Sequence, residues 1–155
     1  MIKEFKLMTI SKIVTLLMVL IYELNIQEGR IQMIDFDYNN GIYPYGDLTQ
    51  GANGKLYGLT SDGGLGYGTL FEYTIGAESI IKKVEFDNAD KGGYPYGSLC
   101  AASNGKFYGM TSSGGADSAG VIFEYDTLGT YSVKFNLDSL VHGYFPYGNL
   151  LEYSQ

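Results

Sequence analysis

The sequence has no tryptophan, one cysteine, one histidine and three prolines in 155 residues. A single thiol, Cys100, excludes an internal disulfide framework and a zinc site built on cysteines. A single imidazole, His142, removes most nucleophile-plus-base pairings and most histidine metal sites. Basic residues are also scarce: 10 Lys and Arg against 17 Asp and Glu leave a net charge of −7. Phosphate backbones and anionic lipid surfaces are held by clustered Lys and Arg, so nucleic acid is excluded as a partner and an anionic membrane surface would repel the chain. What is abundant is 22 glycines and 15 tyrosines, in a chain that is 45% hydrophobic. That balance belongs to one folded domain of short strands and tight turns rather than to a helical bundle or a disordered chain.

The start of the chain differs in composition. Lys3, Lys6 and Lys12 lead into the apolar run Ile13–Tyr22. A bilayer-spanning helix needs about 20 apolar residues, so the run is short for one. A basic start and a short apolar core form the pattern of a secretory leader. Residues 1–28 are therefore expected to be a signal peptide, or else an N-terminal apolar helix. The segment Glu23–Gly29 departs from the leader pattern, having no small-x-small cleavage site. The expected setting is secreted or cell-surface, with membrane contact only through export or an uncleaved N-terminal segment. Without residues 1–30 the balance is 6 basic against 14 acidic side chains.

Residues 31–155 are self-similar. Pro44-Tyr45-Gly46 recurs as Pro95-Tyr96-Gly97 and Pro146-Tyr147-Gly148, 51 residues apart each time. Leu48, Leu99 and Leu150 follow at a fixed offset. Gly54-Lys-Leu-Tyr-Gly-Leu-Thr60 matches Gly105-Lys-Phe-Tyr-Gly-Met-Thr111, and Ser61-Asp-Gly-Gly64 matches Ser112-Ser-Gly-Gly115. Gly68-Thr-Leu-Phe-Glu-Tyr73 matches Gly120-Val-Ile-Phe-Glu-Tyr125, and Ile34-Asp-Phe36, Val84-Glu-Phe86 and Val133-Lys-Phe135 recur at about the same period. Units fall at about 41–90 and 92–140, with partial units at 31–36 and 143–151.

Each unit predicts four short strands. The first is Pro-Tyr-Gly-x-Leu, with proline where a missing N–H costs least. The second, Lys55–Thr60 or Lys106–Thr111, follows an Asn-Gly turn. The third is Thr69–Tyr73 or Val121–Tyr125. The fourth alternates, with Val84 and Phe86, or Val133 and Phe135, on one face. The fold class is all-β, a propeller-like tandem repeat of about 51 residues, incomplete and preceded by the N-terminal apolar segment. A sheet of this kind shields its apolar faces only by stacking on neighbours. Closed propellers typically hold four to eight blades, so about two and a half suggest a fragment of a longer repeat protein, self-association or a small open stack.

The combination of Pro-Tyr-Gly-x-Leu, Leu-Tyr-Gly-x-Thr, Gly-Gly and Gly-x-x-Phe-Glu-Tyr resembles the Gloeobacter/Verrucomicrobium-type tandem repeat, over residues 41–151. The resemblance implies a propeller-like array and export to the cell surface, and it brings no catalytic residues.

Candidate chemistry is sparse. Glu72 and Glu124 are repeat-equivalent carboxylates, expected on solvated strand faces rather than as an acid–base pair. Asp37, Asn39, Asp87 and Asp90 offer the oxygen ligands and nearby glycines that calcium takes, and equally the ordinary chemistry of turns. No other cofactor is implied. Ser61–Gly64 and Ser112–Gly115 read as structural turns rather than anion nests, His142 as a loop residue, and Cys100 as a small buried residue. Tyr57, Tyr108, Tyr73 and Tyr125 are expected between sheets. Tyr45, Tyr96 and Tyr147 belong to the same core unless their rings are exposed, in which case they offer a binding surface for a glycan or a protein. The expected function is an exported, non-enzymatic structural or binding scaffold. The alternatives are part of a propeller-type glycan-active hydrolase or lyase, and a truncated remnant of a longer repeat protein.

Overall fold

The computed structural model describes residues 21–25 and 30–153, all of them strand, turn or loop. Strands β1 (Ile21–Asn25) and β2 (Arg30–Ile34) pair as an antiparallel hairpin. Strands β3 (Thr49–Gln50), β4 (Leu56–Thr60), β5 (Thr69–Tyr73) and β6 (Ile81–Glu85) form one four-stranded antiparallel sheet. Strands β7 (Cys100–Ala101), β8 (Phe107–Met110), β9 (Val121–Tyr125) and β10 (Tyr131–Asn136) form a second. Strand order follows chain order in each, and the short strands β3 and β7 approach one another.

The two sheets stack through side chains that alternate along each strand. Tyr57, Leu59, Leu70, Val84 and Phe86 of the first meet Phe107, Val121, Phe123 and Tyr125 of the second. The other face of the first sheet is covered from the chain ahead of it, where Ile34 and Phe36 pack on Phe71 and Tyr73. One contact is repeated: Phe36 lies 5.0 Å from Phe71, and Phe86 lies 5.5 Å from Phe123. In Tyr-Gly-x-Thr the glycine is steric, because a Cβ on Gly58 or Gly109 would fall 2.4 or 2.5 Å from the ring of Phe71 or Phe123. The threonine is polar mortar: Thr60 Oγ1 accepts from the Thr69 amide at 3.0 Å, as Thr111 Oγ1 does from Val121.

The expectations need three corrections. Pairing in the first strand begins after Pro-Tyr-Gly-x-Leu, at Thr49 and Cys100, because the chain bends at Gly46 and Gly97. Val133 and Phe135 do not share a face: a bulge falls between them, sending Val133 to the inter-sheet core and leaving Phe135 exposed. The true equivalents are Val84 with Phe135, opposite Leu70 and Ile122, and Phe86 with Leu137, whose amides bond the carbonyls of Gly68 and Gly120. Cys100 is half-buried rather than buried. Of the expected leader 1–28, residues 1–20 and 26–28 lie outside the described residues, and β1 occupies the five between.

Candidate functional site

Three copies of one turn bring aromatic rings to the surface. Gly41, Gly92 and Gly143 have positive φ, and two residues later so do Tyr43 (+58°), Tyr94 (+54°) and Phe145 (+53°). Each of those three precedes a proline, where an extended backbone is the norm. A bulky residue in the left-handed region is strained by roughly 1–3 kcal/mol. In the first two copies the strain is held by the Ser-x-Gly-Gly loops. Ser61 and Ser112 donate their amides to the carbonyls of Tyr43 and Tyr94, at 3.1 and 3.2 Å, and Ser112 adds its hydroxyl at 2.8 Å. These loops are turns, as expected, and their glycines let the chain pass within van der Waals reach of Gly41 and Gly92.

The result is a continuous strip of rings. Tyr43 stacks on Tyr45 at 6.3 Å, Tyr45 meets Tyr96 at 5.6 Å, and Tyr96 meets Tyr147 at 4.8 Å. Tyr147 stacks on Phe145 at 6.5 Å, and Phe145 meets Tyr144 at 5.9 Å. Tyr45 and Tyr147 are 61% and 60% exposed, so these rings are not inter-sheet core. Tyr96 is half-buried between them, and its hydroxyl is held above its usual pKa by burial and then by Tyr147 and Tyr45. Beneath the strip the backbones of successive units touch. A Cβ on Gly46 would lie 2.5 Å from the Gly97 carbonyl, and one on Gly97 would lie 2.3 Å from that of Gly148. Asp47 donates its amide to Ser98 Oγ at 2.8 Å, and Ser98 to Asn149 Oδ1 at 2.7 Å, so each unit hangs on the next.

The candidate carboxylates are not solvated. Glu72 is buried, 2.6 Å from Lys55 Nζ and 3.6 Å from Lys83 Nζ, and accepts from the Tyr57 hydroxyl at 2.9 Å. Glu124 repeats this with Lys106, Lys134 and Tyr108, at 2.8, 3.1 and 2.6 Å. Asn53 and Asn104 close each cluster by donating to the tyrosine oxygen at 2.9 Å. Burial pushes Glu72 up, but its bonds to Lys55 and Tyr57 and the charge of Lys83 outweigh this, leaving it below the usual carboxylate range. Lys106 and Tyr108 hold Glu124 at about 2. A general acid needs the opposite shift, so the clusters clamp the second, third and fourth strands of each sheet.

The calcium candidates are engaged in turns. Asp37 accepts from the Asn40 amide at 2.8 Å, and Asp87 from the amides of Ala89 and Lys91 at 3.0 and 2.9 Å. Asn39 gives its carbonyl to Lys82, and Asp90 lies in the same turn as Asp87. Among the described residues no group of three or more His, Cys, Asp or Glu is placed to hold a metal ion. His142 Nδ1 accepts from the Asp138 amide at 3.1 Å, and its ring meets Phe135 at 5.0 Å, well away in sequence from either serine loop.

The model of the Gloeobacter/Verrucomicrobia repeat matches residues 19–155. The chain belongs to this repeat family. No curated protein and no solved structure matches it. The match to the Gloeobacter/Verrucomicrobia repeat begins inside the apolar run Ile13–Tyr22, ahead of β1. In this repeat, the aromatic residue before each proline and the lysines around each glutamate were passed over in the sequence. Tyr43-Pro44, Tyr94-Pro95 and Phe145-Pro146 share the 51-residue spacing that marks the rest of the repeat.

Proposed function

We propose that this chain is a non-enzymatic, propeller-like repeat module that binds a neutral carbohydrate chain along its strip of tyrosines. The observation that carries this reading is the exposure of Tyr45 and Tyr147 on a backbone strained three times over to present them. A tyrosine ring offers a flat apolar face to a sugar ring and a hydroxyl to its edge. A net charge of −7 disfavours acidic polymers and leaves neutral ones acceptable. An enzymatic reading has no support of equal weight, because both repeat-equivalent glutamates are tied up by lysine and tyrosine.

Titration of the purified chain against a panel of soluble neutral polysaccharides, followed calorimetrically, tests the proposal. Binding should be present in the natural chain and lost in Tyr45→Ala/Tyr147→Ala with the circular dichroism unchanged. Absence of binding to every member, or binding indifferent to both rings, overturns it. An extracellular setting belongs to the same proposal, and fractionation together with the N-terminal mass of the mature chain tests that part.

A further inference from the structure

Tyrosine rings that touch can be joined covalently, and one pair in this molecule is placed for it. Among the described residues the two tyrosine rings nearest to one another are Tyr96 and Tyr147, with centres 4.8 Å apart and planes at 70°. That is edge-to-face contact. Tyr67 and Tyr94 follow at 5.4 Å, both half-buried, and Tyr45 and Tyr96 at 5.6 Å. Tyr57 and Tyr125 also meet, at 6.2 Å, but neither ring is open to a reagent from solution. Tyr147, by contrast, is 60% exposed.

The backbone holds the nearest pair in place. Ser98 donates its amide to Asn149 Oδ1 at 2.7 Å, two residues beyond each ring. A Cβ on Gly97 would fall 2.3 Å from the Gly148 carbonyl oxygen, so the two Tyr-Gly segments lie in direct contact. Rotation of the side chains therefore brings ring edge to ring edge without parting the units. Groups confined in this way react as if at very high concentration.

We propose that Tyr96 and Tyr147 form an oxidative cross-linking site, where hydrogen peroxide activated by a haem peroxidase joins the two rings as a dityrosine. Each phenol gives up one electron and its proton. The two radicals pair to form a carbon–carbon bond between ring positions ortho to the oxygens. The hydrogens on those carbons then move to the oxygens and restore both phenols. In balance, two tyrosines and one peroxide give one dityrosine and two waters. The bond ties together two units whose tyrosines stand 51 residues apart. Such a link removes conformations from the unfolded chain and so stabilises the stack, as a disulfide would. With one cysteine in these 155 residues, no disulfide can do the same within them.

Treatment of the dilute full chain with peroxidase and hydrogen peroxide, then tryptic digestion and mass spectrometry, tests the site. Cleavage after Lys91, Lys106 and Lys134 releases residues 92–106 and 135–155, which carry Tyr96 and Tyr147. The two peptides should appear joined, two hydrogens short of their summed mass, with fragment ions placing the bond on those rings. In an equal mixture of unlabelled and nitrogen-15-labelled chain, each joined pair should carry one label only. Tyr147→Phe should abolish this product and leave the slower joining of 92–106 to 31–55 through Tyr96 and Tyr45. Absence of a joined peptide, pairs of mixed label, or joining spread equally over the exposed Tyr38, Tyr144 and Tyr153 each overturns the site. The linked chain should also melt at a higher temperature, and an unchanged Tm would overturn its role as a fastener. Coupling is read by mass with no sugar present, so its outcome is independent of the carbohydrate titration.

Discussion

Replacing the three glycines of the Pro-Tyr-Gly turns one at a time should give two opposite results from one motif. None of Gly46, Gly97 and Gly148 has positive φ, so alanine fits each backbone. Space alone separates them. The alanine Cβ would lie 2.5 Å from the Gly97 carbonyl oxygen at position 46, and 2.3 Å from the Gly148 oxygen at position 97. Ordinary contact requires roughly 1 Å more, so adjacent units must part along the strip. Overpacking of that kind costs about 1–3 kcal/mol. Parting also stretches Asp47 to Ser98 and Ser98 to Asn149, both under 3 Å now. At Gly148 no atom lies within 4 Å, so alanine only restricts the unfolded chain and should stabilise by about 0.4–1 kcal/mol. Urea unfolding of dilute, monomeric protein, followed by far-ultraviolet circular dichroism, gives the three midpoints. A Gly148→Ala midpoint as low as that of Gly97→Ala would refute the stacked backbones, and so would neutral results at 46 and 97.

Other substitutions probe the same stack. Under monomeric conditions Tyr57→Ala should cost about 3–5 kcal/mol and the half-exposed Tyr108→Ala only about 1–2 kcal/mol, and equal losses by urea unfolding would contradict the difference in burial. The Tyr125 hydroxyl is buried with no hydrogen-bond partner among the described residues, so Tyr125→Phe should be neutral or stabilising by about 1 kcal/mol; a clear loss in midpoint would place a partner there. Glu124 is held at about 2 against an ordinary 4.5, and Glu72 is lowered too. Their stabilisation is complete above the ordinary value and is lost as pH falls from there towards about 2, so Tm should drop across that window and Glu124→Gln should flatten the drop.

Repetition made the third strands legible: Thr69–Tyr73 and Val121–Tyr125 are found where two matching sequences placed them. It also supplied Tyr45, Tyr96 and Tyr147, though not their environment. Period two says which side chains share a face; it does not say what lies over that face. Tyr57 and Tyr108 are therefore alike in sequence and unlike in burial, because a second sheet covers only the first of them. The first strands were misplaced because a proline preceded by a left-handed aromatic reads like a strand start when φ is unknown. The bulge between Val133 and Phe135 was hidden by an alternation that looked regular. Strand β1 has no counterpart among the expected strands, although its Glu23 stands 49 residues before Glu72, close to the repeat spacing.

That carboxylate bears on function as well as on fold. A glutamate at the same point of every unit invites a catalytic reading, yet in both sheets the neighbours repeated with it are two lysines, a tyrosine and an asparagine. A residue copied together with its neutralising partners is fixed by the sheet it fastens. The aromatic turns differ in this respect. The Tyr43, Tyr45, Phe145 and Tyr147 rings stay outside, and an extended residue before each proline would relieve the strain at Tyr43, Tyr94 and Phe145. At Tyr43 and Tyr94 the strain is sustained by hydrogen bonds from the serine loops at Ser61 and Ser112. Relieving it should therefore move the rings before it melts the sheets, and for that reason a binding measurement on Ser112→Ala is the more sensitive probe of the strip than its Tm.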